Sequence, residues 1–362
     1  MRICLIADAT SIHTLRWAEY FVNQGDEVHI VTYEPPKNEL EGVKFHIIRS
    51  IFNNLYLDFF PRHLRMYLLI HKMKPDILHA HFISKFGFHA AFLGYRPLIM
   101  SAWGGDILVV PYWSKLLWYL TGISLRRTDM VYGVSKDICE KIVTNFRVSS
   151  SRVKLVPFGV DTKLFHPAAE KNIVGSNDLV VFSNRTFLEI YNIETLVNSI
   201  PLVVEKNPNI KFVIKGTGPL EDSLKSLVLE LGVSQYVTFI GWVEYKEMAG
   251  LLHNCDIYVS TALSDGTPVS VLEAMACAKP CIVTDVGGVS EWIDDGLNGC
   301  LFTPRNPQEL AQKILELAAN SIKRDKFGKN ALKVIEERGD WQRIMTDVRT
   351  QYKELVRGHE IH

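Results

Sequence analysis

The sequence predicts an α/β protein with two doubly wound, Rossmann-like domains, and three observations support this fold class. Short apolar runs of strand length alternate with stretches of helical periodicity along almost the whole chain, as in parallel βαβ units. The alternation breaks once, in the polar stretch 165–176. The chain has 362 residues, and domains of ~100–200 residues predict two of them.

The first half begins with a predicted buried strand at 3–7. Apolar residues then recur at helical spacing over 12–22, and Gly25 ends this helix. Helices or loops separate the further predicted strands, which lie at 28–32, 44–49, 76–79, 98–101, 130–134 and 153–157. We expect residues 1–165 to form one domain.

The stretch 165–176 is predicted to link the domains, because it lacks periodicity and contains Pro167 and Gly175. Beyond it, the predicted strands are 178–183, 210–215, 236–240, 257–260, 280–284 and 300–302. Helices are predicted at 193–204, 220–231, 245–252, 269–277 and 307–319, and the chain is almost entirely helical from Ser321. We expect a second domain at 176–340 and a C-terminal helix at 341–362.

Composition excludes several classes of protein. Lys and Arg total 40, as do Asp and Glu, so no net charge favours nucleic acid as a partner. No window of ~18 apolar residues predicts a membrane span, and the N-terminus lacks the pattern of a signal peptide. The six cysteines are scattered, and Lys279-Pro280 interrupts the closest pair, Cys277 and Cys281. Neither a disulfide framework nor a zinc site is predicted, and a reducing, cytoplasmic location is expected.

The sharpest chemical signal is the segment 264–276, SDGTPVSVLEAMA, because ligands of such sheets bind in the loops after strands. Asp265 and Glu273 have seven residues between them, and Pro268 suits a first helical turn. We expect free amides to form an anion site at the helix start, and these are the amides of Gly266, Thr267, Val269 and Ser270. The alternative is that Asp265 caps the helix and Glu273 forms a surface ion pair.

Two further loops are predicted to converge on this anion site. Arg185 follows a strand and suits forked recognition of phosphate oxygens. Lys215 opens the sequence KGTG, whose glycines would allow a ligand close approach; Glu221 stands where a dinucleotide fingerprint requires glycine. A third loop, Gly241-Trp242-Val243, is predicted to flank a base, and core packing is the alternative for Trp242.

Loops of the first domain hold weaker candidates. Ser11 is predicted near a ligand or, alternatively, as a helix N-cap. His13 follows one turn later, with a structural role as its alternative. His79 and His81 should lie on one side of the sheet because of strand alternation, and we expect His81 near a substrate. No third ligand for a metal is evident beside them.

The string SDGTPVSVLEAMACAKPCIVTDVGGVSEWIDDGLNGCLF resembles the donor-binding region of retaining glycosyltransferases of the GT-B fold, family 4. The segment FGVD with Phe165 and Pro167, the pair Val134-Ser135 and the segment HAH are also similar to that family, in the right order. The resemblance covers nearly the whole chain. It implies that the two domains face a cleft and that the C-terminal helices cross back to the first.

The resemblance also implies residue roles. Glu273 should hold the ribose hydroxyls of a nucleotide, Asp265 the transferred sugar or the diphosphate loop, and Arg185 the diphosphate. The amides of Thr267, Val269 and Ser270 should contact donor sugar and phosphate. No metal or other cofactor is expected.

This sequence departs from the family at three places. Asp265 stands where Glu is usual, and Tyr191 where a Lys is frequent, so Lys215 is expected to substitute in part. Where the family often has a His, this chain has WGGD at 103–106. Asp106 is then the best polar candidate for catalysis, with Trp103 and Gly104 on the acceptor side.

Two stretches are typical of helices that lie in a membrane surface. Residues 62–74 and 111–127 combine apolar and aromatic residues with flanking Lys and Arg, and no acidic residue occurs from 107 to 128. The alternative is that these faces belong to the core. Membrane contact would suit a lipid-linked acceptor and a location on the inner face of the cell membrane.

The expected function is retaining, metal-independent transfer of a hexose from a nucleotide-diphosphate sugar to an acceptor hydroxyl. A UDP-sugar is preferred to a GDP-sugar, and a lipid-linked glycan or cell-envelope polysaccharide precursor is the expected acceptor. The alternatives are a nucleotide-sugar 2-epimerase and a non-catalytic protein that binds nucleotide sugars.

Overall fold

The structure is a computed structural model that describes residues 1–37, 39–52, 54, 57–168 and 178–360. These residues form two compact units. The first comprises Met1–Pro157 and Ile344–His362, and the second Phe158–Arg343. Residues 169–176 of the predicted linker lie outside the described residues. Phe165, at the predicted start of that linker, is fully buried in the core of the second unit.

The first unit contains a seven-stranded parallel sheet with the order β3-β2-β1-β4-β5-β6-β7. The strand order reverses between β1 and β4, so this pair forms a topological switch point. The strands are β1 (Arg2–Ile6), β2 (Glu27–Thr32), β3 (Val43–Ile47), β4 (Ile77–His81), β5 (Leu98–Ala102), β6 (Met130–Gly133) and β7 (Val153–Leu155). Its helices before the second unit are α1 (Ile12–Asn23), α2 (Phe59–Met73), α3 (Phe88–Phe92), α4 (Gly105–Leu108), α5 (Lys115–Arg126) and α6 (Lys136–Phe146).

The second unit repeats this architecture with six parallel strands in the order β10-β9-β8-β11-β12-β13. They are β8 (Leu179–Ser183), β9 (Ile210–Lys215), β10 (Val237–Ile240), β11 (Ile257–Ser260), β12 (Cys281–Thr284) and β13 (Gly299–Phe302). The helices are α7 (Ile193–Val204), α8 (Glu221–Glu230), α9 (Met248–Asn254), α10 (Val269–Ala276), α11 (Pro307–Ala319) and α12 (Ser321–Arg338). Here the order reverses between β8 and β11.

Both faces of the second sheet are buried. Val181 packs in one hydrophobic cluster with Phe212 and Ile214, whereas its neighbour Phe182 packs in another with Tyr258. Successive side chains of a strand point to opposite faces, so the two clusters are the two layers that helices cover. This double burial explains why the strands are continuous apolar runs, and it confirms the predicted α/β fold class.

The last helix, α13 (Trp341–Glu360), contributes its residues from Ile344 onward to the first unit. Its Tyr352 is fully buried and stacks on Phe21, with 5.1 Å between ring centroids. The Tyr352 hydroxyl lies 2.5 Å from Nδ1 of His79. Arg349 donates to both carboxylate oxygens of Asp26, at 2.8 and 3.1 Å. These contacts fasten the C-terminal helix to α1 and β4.

Candidate functional site

In the second unit, charged side chains meet beside the switch point. Arg185 follows β8 and Asp265 follows β11, two strands that pair in the sheet. Arg185 Nη2 donates to Asp265 Oδ2 at 2.7 Å, and Nη1 donates to Ser270 Oγ at 2.8 Å. The Arg185 guanidinium also lies 4.1 Å from the ring centroid of Tyr191. Two hydrogen bonds and one cation–π contact therefore fix the orientation of the Arg185 guanidinium.

Arg185 is only 9% exposed, and it keeps its charge because of its neighbours. Burial alone would lower the pKa of Arg185, but the Asp265 carboxylate and the hydroxyls of Tyr258 and Tyr191 outweigh it and raise the pKa. Tyr191, at which the resemblance implies a departure from a frequent Lys, thus supports Arg185 by a cation–π contact. Sequence reasoning missed this role.

The Asp265 loop is tied to the loop after β12. The Asp265 carbonyl accepts a hydrogen bond from the Gly288 amide at 3.1 Å. Gly287 has φ +43°, and a Cβ added there would lie 3.2 Å from the same carbonyl. The adjacent glycines after β12 are the sequence signal for this close approach. These glycines allow the loop after β12 to pack closely against the backbone of Asp265.

The start of α10 differs from the predicted set of free amides. Pro268 is the N-cap residue rather than part of the first turn, and its carbonyl accepts from the amides of Val271 and Leu272 at 2.8 and 3.0 Å. The Val269 amide is not free, because it donates to the Thr267 carbonyl at 2.9 Å. Ser270 contributes its hydroxyl to Arg185 instead. The Thr267 side chain is buried, and the structure places Gly266 in the same turn.

Glu273 lies in the second turn of α10 and is 5% exposed, which excludes the alternative of a surface ion pair. Glu273 also influences the pKa of Lys215. Burial lowers that pKa, and the negative charge of the Glu273 carboxylate opposes part of the change. A buried carboxylate on α10 therefore lies within electrostatic range of a half-buried ammonium group at the end of β9.

The glycines of the KGTG segment serve the protein rather than an approaching ligand. A Cβ at Gly216 would lie 2.3 Å from the Arg185 carbonyl, and one at Gly218, with φ +156°, would lie 2.6 Å from the Phe187 carbonyl. The Phe187 amide donates to the Thr217 carbonyl at 3.0 Å. These glycines therefore let the β9 loop pack against the backbone that carries Arg185.

The loop after β10 presents its aromatic residue to solvent. Trp242 is 69% exposed, so the alternative of core packing does not hold. Gly241 is exposed as well, whereas Val243 packs at the edge of the core. This loop follows β10, two strands from β8 in the sheet.

In the first unit, Asp106 is fully buried and acts on the backbone. Its carboxylate accepts from the amides of Trp103 and Gly104, at 3.0 and 2.9 Å, and from the Ile83 amide at 2.8 Å. Burial raises the pKa of Asp106 to about 6, against the effect of these hydrogen bonds. Asp106 therefore joins the loops after β4 and β5, and the prediction of a catalytic role for it does not fit this position. Gly104 has φ 135°, which favours glycine there.

The histidines of β4 are inside the unit. His79 and His81 do lie on one face, with ring centroids 4.5 Å apart. His81 is 1% exposed and packs against the rings of Trp103 and Trp17, at 4.9 and 5.2 Å. Burial lowers the pKa of His81 to about 3, and neither ring nitrogen has a hydrogen-bond partner in the described part of the chain. His81, predicted to lie near the acceptor, is thus enclosed by protein side chains in this unit.

His13 and Ser11 lie at the start of α1. The His13 ring is 5.9 Å from that of Trp103, and burial, with Arg16 nearby, lowers the pKa of His13 to about 4. Ser11 is the N-cap residue, but its side chain makes no capping hydrogen bond. His13, Trp103 and His81 therefore form one continuous contact at this edge of the sheet. Within the described ranges, no group of three or more His, Cys, Asp or Glu side chains could hold a metal ion.

The helices proposed to contact a membrane expose much of their apolar surface. On α2, Phe60, Leu64 and Leu68 are 77%, 58% and 60% exposed, whereas Met66 and Ile70 face the core. Around α5, Trp113 and Leu116 are 71% and 67% exposed. The alternative of core packing thus holds for only part of each stretch. Among the described residues, no helix has the length and hydropathy needed to cross a membrane.

Two protein-family models match this chain, one in its first part and one in its second. Residues 2–135 match the family described as glycosyl transferase 4-like, and residues 168–334 match glycosyl transferases group 1. The chain belongs to the glycosyltransferases, with a glycosyl transferase 4-like first part and a group 1 second part. The prediction that the chain is a glycosyltransferase is confirmed.

Curated relatives of this glycosyltransferase extend over most of its length. An uncharacterized glycosyltransferase of Methanocaldococcus jannaschii is 27% identical and covers 96% of this chain and 95% of its own. The MMP alpha-(1->4)-mannosyltransferase of Mycolicibacterium hassiacum is 25% identical over 76% of this chain and 67% of its own.

Solved structures share the fold. The Anabaena protein HepE, solved with UDP, has a TM-score of 0.85 at 18% identity and covers 98% of this chain and 100% of its own. Sucrose-phosphate synthase from Thermosynechococcus elongatus has a TM-score of 0.83 at 18% identity, with 98% and 99% covered. At 18% identity, these similarities show that the chain has the GT-B fold and no more than that.

Proposed function

We propose that the protein transfers a sugar from a nucleoside-diphosphate sugar, preferably a UDP-sugar, to an acceptor hydroxyl. The transfer retains the anomeric configuration and needs no metal. The observation that carries this proposal is the group of Arg185, Asp265, Ser270 and Glu273 beside the β8–β11 switch point. Ligands of doubly wound sheets bind at such points.

Arg185 is the residue that would neutralise the diphosphate. A departing diphosphate gains negative charge, and a pre-oriented guanidinium stabilises that charge best where water is excluded. Arg185 is nearly buried and already directed by Asp265 and Ser270, so little reorganisation is needed. We propose that diphosphate oxygens take over part of the Arg185 hydrogen bonding and that Lys215 adds a second positive charge. This arrangement replaces a metal.

Glu273 would bind the ribose. A carboxylate with two acceptor oxygens can hold two neighbouring hydroxyls, and these hydrogen bonds are stronger than those to a neutral acceptor. The buried position of Glu273 in α10 suits a permanent recognition role more than a transient one. The exposed ring of Trp242 is our candidate for contact with the base.

Retention requires the new bond to form on the face that the diphosphate leaves. The C1–O bond to the diphosphate breaks, the acceptor oxygen bonds to C1 on the same face, and a phosphate oxygen takes the acceptor proton. This route needs no protein carboxylate as base. Asp106, whose carboxylate is occupied by three amides, is not available for that purpose.

A peripheral membrane position is part of the proposal. The exposed stripe of Phe60, Leu64 and Leu68 on α2 lies on a helix whose ionised side chains are Lys and Arg only, and the same holds from 107 to 128. Apolar stripes with basic borders suit an anionic bilayer surface. We propose a lipid-linked acceptor on this ground. The HepE structures with UDP and UDP-glucose support the preference for uridine.

A panel of nucleotide sugars tests the proposal. With and without EDTA, we expect a UDP-sugar to raise the melting temperature, since a ligand at 100 times its Kd adds about 2.7 kcal/mol. With water as the slow acceptor, NMR should show the free sugar appearing first with the configuration of the donor. No stabilisation by any nucleotide sugar, or inversion, would contradict the proposal. An epimerised donor would assign the protein to the 2-epimerases.

A further inference from the structure

A cationic cluster lies at the carboxyl edge of the first sheet, on the segments that follow β2 and β4 and on α2. Tyr33 follows β2, Arg62 lies in the first turn of α2, and Lys85 lies in the turn after β4. The Arg62 guanidinium is 4.3 Å from the centroid of the Tyr33 ring, and the Lys85 ammonium is 5.5 Å from it. Two positive charges thus share one aromatic ring.

Two imidazoles complete this cluster. The His89 ring lies 6.2 Å from that of Tyr33 and 5.7 Å from that of His63, and the Phe59 ring stacks on His89 at 4.3 Å. Burial, with His63 and Arg62 nearby, lowers the pKa of His89 to about 3, so this ring is neutral at physiological pH. A neutral imidazole can still donate one hydrogen bond.

Three polar side-chain atoms of the cluster are buried without a hydrogen-bond partner among the described residues. Within the described part of the chain, Arg62 Nε, His63 Nδ1 and His89 Nδ1 make no hydrogen bond, and His89 is only 4% exposed. Most buried polar side-chain atoms have a partner, and leaving one without costs roughly 1–3 kcal/mol. Three such atoms in one cluster indicate that a group from outside the protein completes it.

The carboxylates near these cations are already engaged. Among the described residues, Arg62 forms no ion pair, and Lys85 pairs with Asp8 at 3.3 Å. Asp58, one turn before Arg62, accepts from Ser50 and from the amides of Ile51 and Phe52, at 2.7 and 3.0 Å. An acceptor of hydrogen bonds that also carries negative charge is therefore what this cluster lacks.

We infer that Arg62, Lys85, His63 and His89 bind a phosphate group of the acceptor substrate. This inference rests on the proposed glycosyl transfer and specifies the chemical class of the acceptor. Phosphate fits because it offers several acceptor oxygens and negative charge to donors that come from different directions. The phosphate can belong to a lipid headgroup or to a water-soluble phosphate ester.

Binding of inorganic phosphate, measured by calorimetry at constant ionic strength, tests the inference. The Arg185→Ala background removes the donor-side anion site. In it, Arg62→Gln should weaken phosphate binding by about tenfold or more, the scale of a lost charge-assisted hydrogen bond. Lys85→Gln, at an exposed side chain that should not perturb folding, should weaken binding by a smaller factor. Arg65→Gln, the matched control on the exposed side of α2, should have no effect.

The inference is overturned if phosphate binds no better than chloride, or if Arg62→Gln and Lys85→Gln match the Arg65→Gln control. UDP binding to the same variants with Arg185 intact keeps the two proposals apart. If UDP still binds but the substitutions do not change phosphate binding, only the inference of a phosphate-bearing acceptor is contradicted. If UDP does not bind, only the proposed donor site is contradicted.

Vesicle flotation identifies the source of the phosphate. If Arg62→Gln reduces binding to phosphatidylglycerol vesicles relative to Arg65→Gln, the phosphate is that of a lipid headgroup. If both variants float like the wild type while Arg62→Gln has lost phosphate binding, a water-soluble phosphate ester is the source.

Discussion

The carboxyl edges of the two sheets use their charged side chains differently. In the second unit, Arg185 is paired with Asp265, and Lys215 lies near the buried Glu273. In the first unit, Asp106 and Asp58 are engaged by backbone amides, and Arg62 has no carboxylate partner among the described residues. The second unit thus holds a cation that a carboxylate already orients, whereas in the first unit Lys85 pairs with Asp8 and Arg62 forms no ion pair among the described residues.

Replacing Arg185, the cation paired with Asp265, should have the largest effect on activity. Arg185→Ala should lower kcat/KM for transfer by roughly 10²–10³-fold, the range seen when one oriented donor to developing charge is lost. Steady-state kinetics would check this, with circular dichroism to confirm folding. Activity within threefold of the wild type would show that the diphosphate is neutralised elsewhere.

Asp106 should affect stability and its pH dependence. The pKa of Asp106 is raised from 3.8 to about 6, so the folded state binds the proton more tightly than the unfolded state. Its contribution is therefore fully present below about pH 4 and is lost as the pH rises through about 6, a change of about 3 kcal/mol. Urea unfolding across this range should show the advantage of the wild type over Asp106→Asn shrinking by that order. A difference that does not vary with pH would contradict this account.

Gly216 tests whether the β9 loop positions Arg185. The Gly216→Ala Cβ would lie 2.3 Å from the Arg185 carbonyl, so we expect a loss of about 1–3 kcal/mol of stability, typical of overpacking, together with weaker UDP binding. Gly250→Ala, in α9 of the same unit, is the control, because nothing lies within 4 Å of its added Cβ. Equal effects of the two substitutions would remove the positioning role.

Substitutions in the exposed apolar stripe of α2 should have the smallest effect on the stability of the fold. Leu64→Ser with Leu68→Ser should change unfolding free energy by less than about 0.5 kcal/mol, as surface substitutions usually do. The same pair should reduce flotation with phosphatidylglycerol vesicles about fivefold, because interfacial binding scales with buried apolar area. Leu229→Ser, at a leucine that is 70% exposed in the second unit, is the control. Unchanged flotation would remove the membrane surface from the proposal.

Much of the fold and part of the site could be predicted from the sequence. Strand and helix positions follow from apolar periodicity, so that β9, β11, α7 and α11 begin and end where predicted. The role of Asp106 could not be predicted, because it depends on which backbone amides a loop turns toward the carboxylate. The fit of Gly216 against Arg185 depends on contact between distant segments. Spacing also could not show that the Val269 amide is used within the turn or that Trp242 faces solvent.

The most direct test of the donor site is a comparison of UDP and uridine binding by calorimetry in three proteins. Wild type should bind UDP more tightly than uridine because Arg185 contacts the diphosphate. Arg185→Ala should lose that preference and keep its affinity for uridine, whereas Glu273→Gln should weaken both ligands by a similar factor of roughly 10, the scale of a hydrogen bond to a charged group. An undiminished preference for UDP in Arg185→Ala, or full uridine affinity in Glu273→Gln, would contradict the assignment of these two residues.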